Sequence, residues 1–194
     1  NGLEVRNAVD FLTGRHQDPR LREVTLSLCA VLAEMTGVAG TVDAGRMLAE
    51  AALNSGRATE RFGIMVHALG GPGDFIDNID DHLAAAPIIR DVFTNGQGAI
   101  SGIDTRGVGM AVVALGGGRA RPTDTIDHRV GFDRLAGLGV TVDSNTPIAR
   151  IHAADENSAA DAEQRIRAAY TLGGTLAPHA LIPDSVPHTT AQEV

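Results

Sequence analysis

A glycine stands behind each of the first four apolar stripes, and this punctuation constrains the fold more than any other feature of the sequence. Val5, Ala8, Val9 and Leu12 recur at helical spacing, and Gly14 follows them. Leu21, Val24, Leu28, Leu32 and Met35 form a second stripe, opened by Asp18 as N-cap with Pro19 at the first helical position and ended by Gly37. A third helix is expected over about residues 42–54, with Met47, Leu48 and Ala51 inward and Gly56 behind it. A fourth, from near Thr59, places Phe62, Met65, Val66 and Leu69 on one face before Gly70 and Gly71. Glycine suits these positions because a left-handed residue past a helix end carries no Cβ penalty. Residues 3–69 therefore read as four helices.

The stretch GGPGDFIDNIDDHL marks a boundary, and beyond it the pattern turns to mixed helix and strand. PIIRDVF and GAISGI read as short strands around a turn at Asn95–Gly96, and VTVDSNTPIARIHA reads as two strands joined by a polar turn. A last helix is expected over about residues 158–172, with Ala159, Ala162, Ile166, Ala169 and Tyr170 on one face. From Gly173 onward the proline content predicts an extended tail. The class is α+β.

Composition removes several functions. All sixteen basic residues are arginine, so no Schiff-base, phosphate-loop, biotinyl or lipoyl lysine exists in these 194 residues. Aromatic residues make up 3% and the formal charge is −8, which disfavours nucleic acid, a ligand held by basic surfaces and stacking rings. The longest apolar runs fall well short of the roughly 20 residues that cross a bilayer, so no membrane association is expected. Cys29, the single cysteine, lies in LSLCAVLAEM and reads as a small core residue in a protein of a reducing, cytoplasmic compartment. The chain opens on Asn1 inside a helical pattern, and reads as a piece of something longer.

Gly116-Gly117-Gly118, followed by Arg119 and Arg121, looks at first like a phosphate loop. In such loops a helix follows the glycines and turns its free N–H groups and positive dipole end toward the anion. Here Asp104 caps a helix carrying Val108, Ala111, Val112 and Leu115, so the glycines come after it, at the carbonyl end. No G-K-[ST] is present. The segment reads as a helix stop and a connection, or as a closing flap that brings Arg119 and Arg121 to an anion bound elsewhere.

Seven histidines are scattered without H-E-x-x-H or a cysteine partner, so zinc is not expected. His152, in ARIHAADEN, is the one that a strand delivers beside acidic residues; an ordinary hydrogen-bonded role is the simpler reading and an acid–base role the other. Asp74, Asp77, Asp80 and Asp81 do not follow calcium-loop spacing and read as a solvated edge. No G-x-S-x-G occurs.

Five blocks in fixed order carry a resemblance: NGLEVRNAVDFLTG, DPRLREVTLSLC, GRATERFGIMV, ISGIDTRGVGMAVVALGGGRARPTDTIDHRVGF and IARIHAADEN. Together they resemble the C-terminal half of the thymidine phosphorylases of the pyrimidine nucleoside phosphorylase family. The resemblance implies a homodimeric glycosyltransferase that cleaves thymidine reversibly with inorganic phosphate as co-substrate, without organic cofactor or covalent intermediate. It implies that residues 1–85 belong to the helical part of the catalytic α/β domain, 86–174 to a C-terminal α/β hammerhead-like subdomain, and 175–194 to a tail. The family's K-x-S-T-G-G phosphate segment and its pyrimidine-holding residues would lie before Asn1, so no catalytic residue is expected in this chain and the piece alone should be inactive. Some relatives hold a cation with a glutamate in N-A-L-E-V-x-E. Asn7 stands at that position, and a neutral amide is a poorer cation ligand, so no metal is carried over. Two other readings stay open: a carrier-like module built on GVTVDSNTPIARIHA, and a purely structural role.

Overall fold

The computed structural model describes residues 1–174; the expected tail over 175–194 lies outside the described residues. Its elements are α1 (Gly2–Thr13), α2 (Pro19–Met35), α3 (Val42–Asn54), α4 (Arg57–Ala68), α5 (Ile79–His82), β1 (Ile88–Val92), β2 (Gly98–Ile103), α6 (Thr105–Ala114), β3 (Gly131–Asp133), β4 (Thr141–Val142), β5 (Ala149–Ala153), α7 (Glu156–Ala169) and β6 (Tyr170–Leu172). The chain is α+β. Of the described residues, 1–8 with 74–174 form one compact unit and 9–73 another.

In the helical unit the caps act as the sequence dictates. Asp18 accepts from the Leu21 N–H, Thr41 accepts from the Ala44 N–H, and Gly37 and Gly56 take the left-handed backbone past α2 and α3. The buried side differs from the expected stripes. Leu26 and Ala30 of α2 and Leu53 of α3 are buried, whereas Leu28, Leu32 and Met35 of α2 and Met47 and Leu48 of α3 are exposed. Helix α4 buries no residue at all. Cys29 is exposed and lines an apolar groove of about 350 Å³ with Phe11, Leu26, Leu48 and Leu53; it is not a core residue. The physical reason is that these helices carry two apolar sides, and α2 and α3 satisfy only one of them by packing on each other.

That packing depends on Gly45. A Cβ there would sit 2.6 Å from the Ala30 carbonyl oxygen and 3.1 Å from the Ala33 Cβ. The obstacle is helix backbone, which cannot rotate away.

In the other unit, two three-stranded antiparallel sheets run in the orders β1-β5-β3 and β4-β2-β6. The expected strands form, but not as the expected hairpins. β1 and β2 sit in different sheets, as do β4 and β5. Each strand finds its partner through sequence-distant pairing, which local turn signals do not encode. The last helix ends at Ala169, and Tyr170–Leu172 turns into β6 against β2, with the Tyr170 hydroxyl donating to the Ala136 carbonyl. Tyr170 therefore belongs to a strand, and burial pushes its phenol up to about 12. The short β3 and α5 carry no periodic signal and were not expected.

Ile151, Ile148, Val92, Val130, Ile100 and Ile166 centre a continuous apolar core. Helix α7 opens on a capping box between Asp155 and Ser158 and lays Ala159, Ala162, Ile166 and Ala169 into that core, the face its spacing predicts.

The Gly45→Ala variant should lose about 1–3 kcal/mol of stability from overpacking, against about 1 kcal/mol gained in helix propensity. Gly40→Ala, at a site with open space and ordinary backbone, serves as the control. Thermal unfolding of both is the measurement. A Gly45→Ala protein as stable as the control would show that α2 and α3 are not this closely packed.

Candidate functional site

The triple glycine closes α6 rather than opening a helix. Asp104 caps the helix start by accepting from the Gly107 N–H. At the other end Gly116, with φ of 88°, donates its N–H to the Val113 carbonyl, while the Gly117 N–H reaches the Val112 carbonyl. These two bonds are a Schellman stop, and they satisfy carbonyls that the helix leaves free. Gly117 and Gly118 have a second duty. A Cβ on either would approach Val112 Cγ1 or Val113 Cγ2 to 2.9 Å, so the chain hugs the helix there.

The residues that follow form a closed ring. Its neck is the Asp127 N–H bonded to the Gly116 carbonyl at 2.9 Å. Inside it, Asp124 Oδ2 accepts from the backbone N–H groups of Ala120 (3.1 Å) and Arg121 (2.8 Å). Arg119 Nε donates to the Asp124 carbonyl at 3.2 Å. The Arg121 guanidinium is exposed and has no partner among the described residues. Asp127 is in turn gripped by Arg129, whose Nε and Nη2 donate to its two oxygens at 2.9 and 2.7 Å. Those hydrogen bonds hold the Asp127 carboxyl down to about 2.

A second arrangement lies on the β1-β5-β3 sheet. Alternation turns Ile151, Ala149 and Ala153 of β5 to the core, leaving Arg150 and His152 on the opposite side. His152 pairs in register with Ile89 and Gly131, and Arg150 with Asp91 and Asp133. This polar face carries the Arg150–Asp91 ion pair at 2.7 Å, which lowers the Asp91 carboxyl and raises the Arg150 guanidinium. It also carries His152 beside Asp133, with Nε2 3.3 Å from Oδ2. His152 is 8% exposed. Neither its Nε2 nor Asp133 Oδ1 makes a hydrogen bond, although both atoms are buried.

Against this face lies a cavity of about 250 Å³, bounded by the first turns of α1, by residues 83–86 and by the β3–β5 edge. Gly2, Leu3, Arg6, Asp80, Ile89, His128 and Arg129 contribute to it along with Asp133 and His152. Arg6 is paired with Asp80. Gly2 lets α1 begin tightly against this wall: its N–H donates to the His128 carbonyl at 2.9 Å, and a Cβ would lie 2.7 Å from that oxygen.

The expected site residues thus separate. Gly116, Gly117, Gly118, Arg119 and Arg121 share one ring, and His152 lies on the sheet, delivered beside an acidic partner. Asn7 is an exposed residue of α1. Of the acidic cluster, Asp74 accepts from Asn78 and bonds His82, and Asp80 pairs with Arg6. The carrier reading needs a β4–β5 hairpin, which two different sheets rule out. Asp133, Asp127 and Asp124 escaped the sequence reading. Asp133 sits on a three-residue strand with no periodicity, and the other two act through loop geometry.

The fold is an α+β unit in which a helix feeds a glycine-stopped ring and a sheet carries one apolar and one polar face. Residues 99–173, from β2 to the end of β6, match the family model of the pyrimidine nucleoside phosphorylase C-terminal domain. The matched segment holds both the ring and the His152–Asp133 pair. Among the described residues no helix is long and apolar enough to cross a membrane.

The Asp127 contribution to stability is present above the ordinary carboxylate range and is lost as pH falls toward 2. Asp127→Asn should therefore cost about 1–2 kcal/mol at neutral pH and the gap to wild type should close between pH 4 and pH 2. Unfolding midpoints measured across that range check it; a gap independent of pH would mean that the carboxylate charge is not what holds the neck.

Proposed function

We propose that this chain is the C-terminal part of a thymidine phosphorylase, which cleaves thymidine reversibly with inorganic phosphate to thymine and 2-deoxyribose 1-phosphate. The carrying observation is the family match over 99–173, joined by the ordered blocks that extend the likeness back to residue 1. In this reading the intact enzyme is a cytoplasmic homodimer that needs no organic cofactor. Phosphate attacks the anomeric carbon while the base departs, so catalysis consists of positioning two substrates and stabilising the charge that moves between them.

Two features favour a supporting piece over a self-sufficient enzyme. With no lysine in the chain, a phosphate-gripping ammonium must come from elsewhere. The exposed Leu28, Leu32, Met35, Met47 and Met65 give the helical unit an apolar face of the kind that further structure covers. The ring from Gly116 to Asp127 acts in this reading as the closing element. Because Asp124 and the Asp127–Gly116 neck hold it together, it would move as one body, carrying Arg119 and Arg121 toward an anion.

The 194-residue chain, mixed with thymidine and phosphate, should release no thymine. Co-expression with a polypeptide carrying K-x-S-T-G-G should restore phosphorolysis. Robust turnover by the chain alone would overturn this division of labour. In the restored enzyme, Arg119→Ala with Arg121→Ala should raise the KM for phosphate by about tenfold or more, as expected for lost charge-assisted hydrogen bonds. Unchanged phosphate kinetics would reduce the ring to a connector.

A further inference from the structure

We propose that Asn95 is a modification site at which the chain converts itself: its side-chain amide condenses with the Gly96 nitrogen, expels ammonia, and opens with water to aspartate and isoaspartate. Such a step needs an exposed asparagine, a following backbone nitrogen that no hydrogen bond holds, and no side chain crowding that nitrogen. Asn95 and Gly96 lie on an exposed bend between β1 and β2. Thr94 Oγ1 donates to the Gly96 carbonyl at 2.5 Å, which closes the bend through that oxygen. The Gly96 N–H has no partner among the described residues. Glycine carries no Cβ, so nothing on the residue itself shields the nucleophile.

Each of the other six asparagines lacks at least one of these conditions. Asn1 also precedes a glycine, but the Gly2 N–H is held by the His128 carbonyl at 2.9 Å. The nitrogen after Asn145 is bonded to Asp143, that after Asn157 to Asp155, and that after Asn54 to the Ala51 carbonyl. Ala8, after Asn7, lies inside α1, and Ile79, after Asn78, is branched and buried. The reaction balances with water alone. The Gly96 nitrogen bonds to Asn95 Cγ, and its proton leaves with the side-chain nitrogen as ammonia. Water then breaks one of the two imide bonds. Cleavage at Cγ gives aspartate; cleavage at the main-chain carbonyl leaves the backbone running through Cγ as isoaspartate. Either product puts a carboxylate where an amide stood. Isoaspartate also lengthens, by one methylene, the connection that joins the two sheets. Because the attacking nitrogen must lose its proton, conversion speeds up as pH rises.

The inference rests on the fold and not on the phosphorylase reading. The test incubates the folded 194-residue chain in mildly alkaline buffer and follows its tryptic peptides by mass spectrometry. Peptide 91–106 should gain about 1 Da, placed at Asn95 by its fragment ions, and separate into two products of equal mass. Peptide 1–6, which holds the other Asn–Gly, should convert at least about tenfold more slowly in the folded chain and lose that protection in urea. Gly96→Ala should likewise slow conversion at Asn95 by about tenfold or more. A Cβ at Gly96 meets only Leu172 Cδ1, at 3.8 Å, so this variant keeps the fold. No mass gain at Asn95, equal rates at Asn1 and Asn95 in the folded chain, or a Gly96→Ala rate equal to that of the wild type would each overturn the proposal.

Discussion

Everything in the unit built by residues 1–8 and 74–174 depends on β5 being paired along both edges. A strand flanked by β1 and β3 cannot twist its side chains out of alternation, so Ile151 at the core fixes His152 on the opposite face. A shift of one residue would drive a histidine into the apolar layer that Ile166 and Ala162 fill from α7. The same register sets Gly131 opposite His152, where a Cβ would come within 3.2 Å of Leu3 Cδ1. The imidazole, its carboxylate neighbour and the start of α1 are therefore located by one hydrophobic constraint, and the polar cavity is its by-product.

The helical unit obeys the opposite economy. Its apolar residues exceed what two packed helices can cover, so the pair α2 and α3 closes over Leu26, Ala30 and Leu53 while longer side chains face outward. With one apolar side covered, the other side of each helix faces outward. That excess also explains why stripes read at helical spacing named the wrong side. Periodicity identifies an apolar face, but when a helix has two, it does not say which one this chain covers itself.

Legibility follows the range of the interactions. All four long helices of the first 69 residues, the cap of α2 at Asp18, the cap of α6 at Asp104 and the inward face of α7 are local matters, and they stand where the residues placed them. The polarity of α6 was readable for the same reason, because a helix start needs a capping side chain and Asp104 supplies it. Strand partners were not readable. The Asn95–Gly96 turn looks like a hairpin in isolation, yet β1 gains more from lying under α7 beside β5. Tyr170 fits the helical face by spacing and leaves it because β2 offers an unpaired edge. His152 could be suspected from ARIHAADEN, but Asp133 could not, since only long-range register brings a three-residue strand beside it.

The placement of carboxylates divides the guanidiniums of this unit into paired and unpaired ones. Arginine is the only permanent cation available, and wherever it meets an aspartate in this unit its charge is consumed locally. Asp80 and Asp127 do this for Arg6 and Arg129, the two guanidiniums that line the cavity. Asp124 does the reverse. Its carboxylate is spent on backbone N–H groups, so the Arg121 guanidinium beside it has no partner among the described residues. The stop at Gly116 makes this partition necessary: a helix that presents carbonyls there repels an anion, and attraction can return only through side chains held clear of it. The same few aspartates thus leave an unpaired guanidinium on the outer rim of the ring and paired ones beside the sheet.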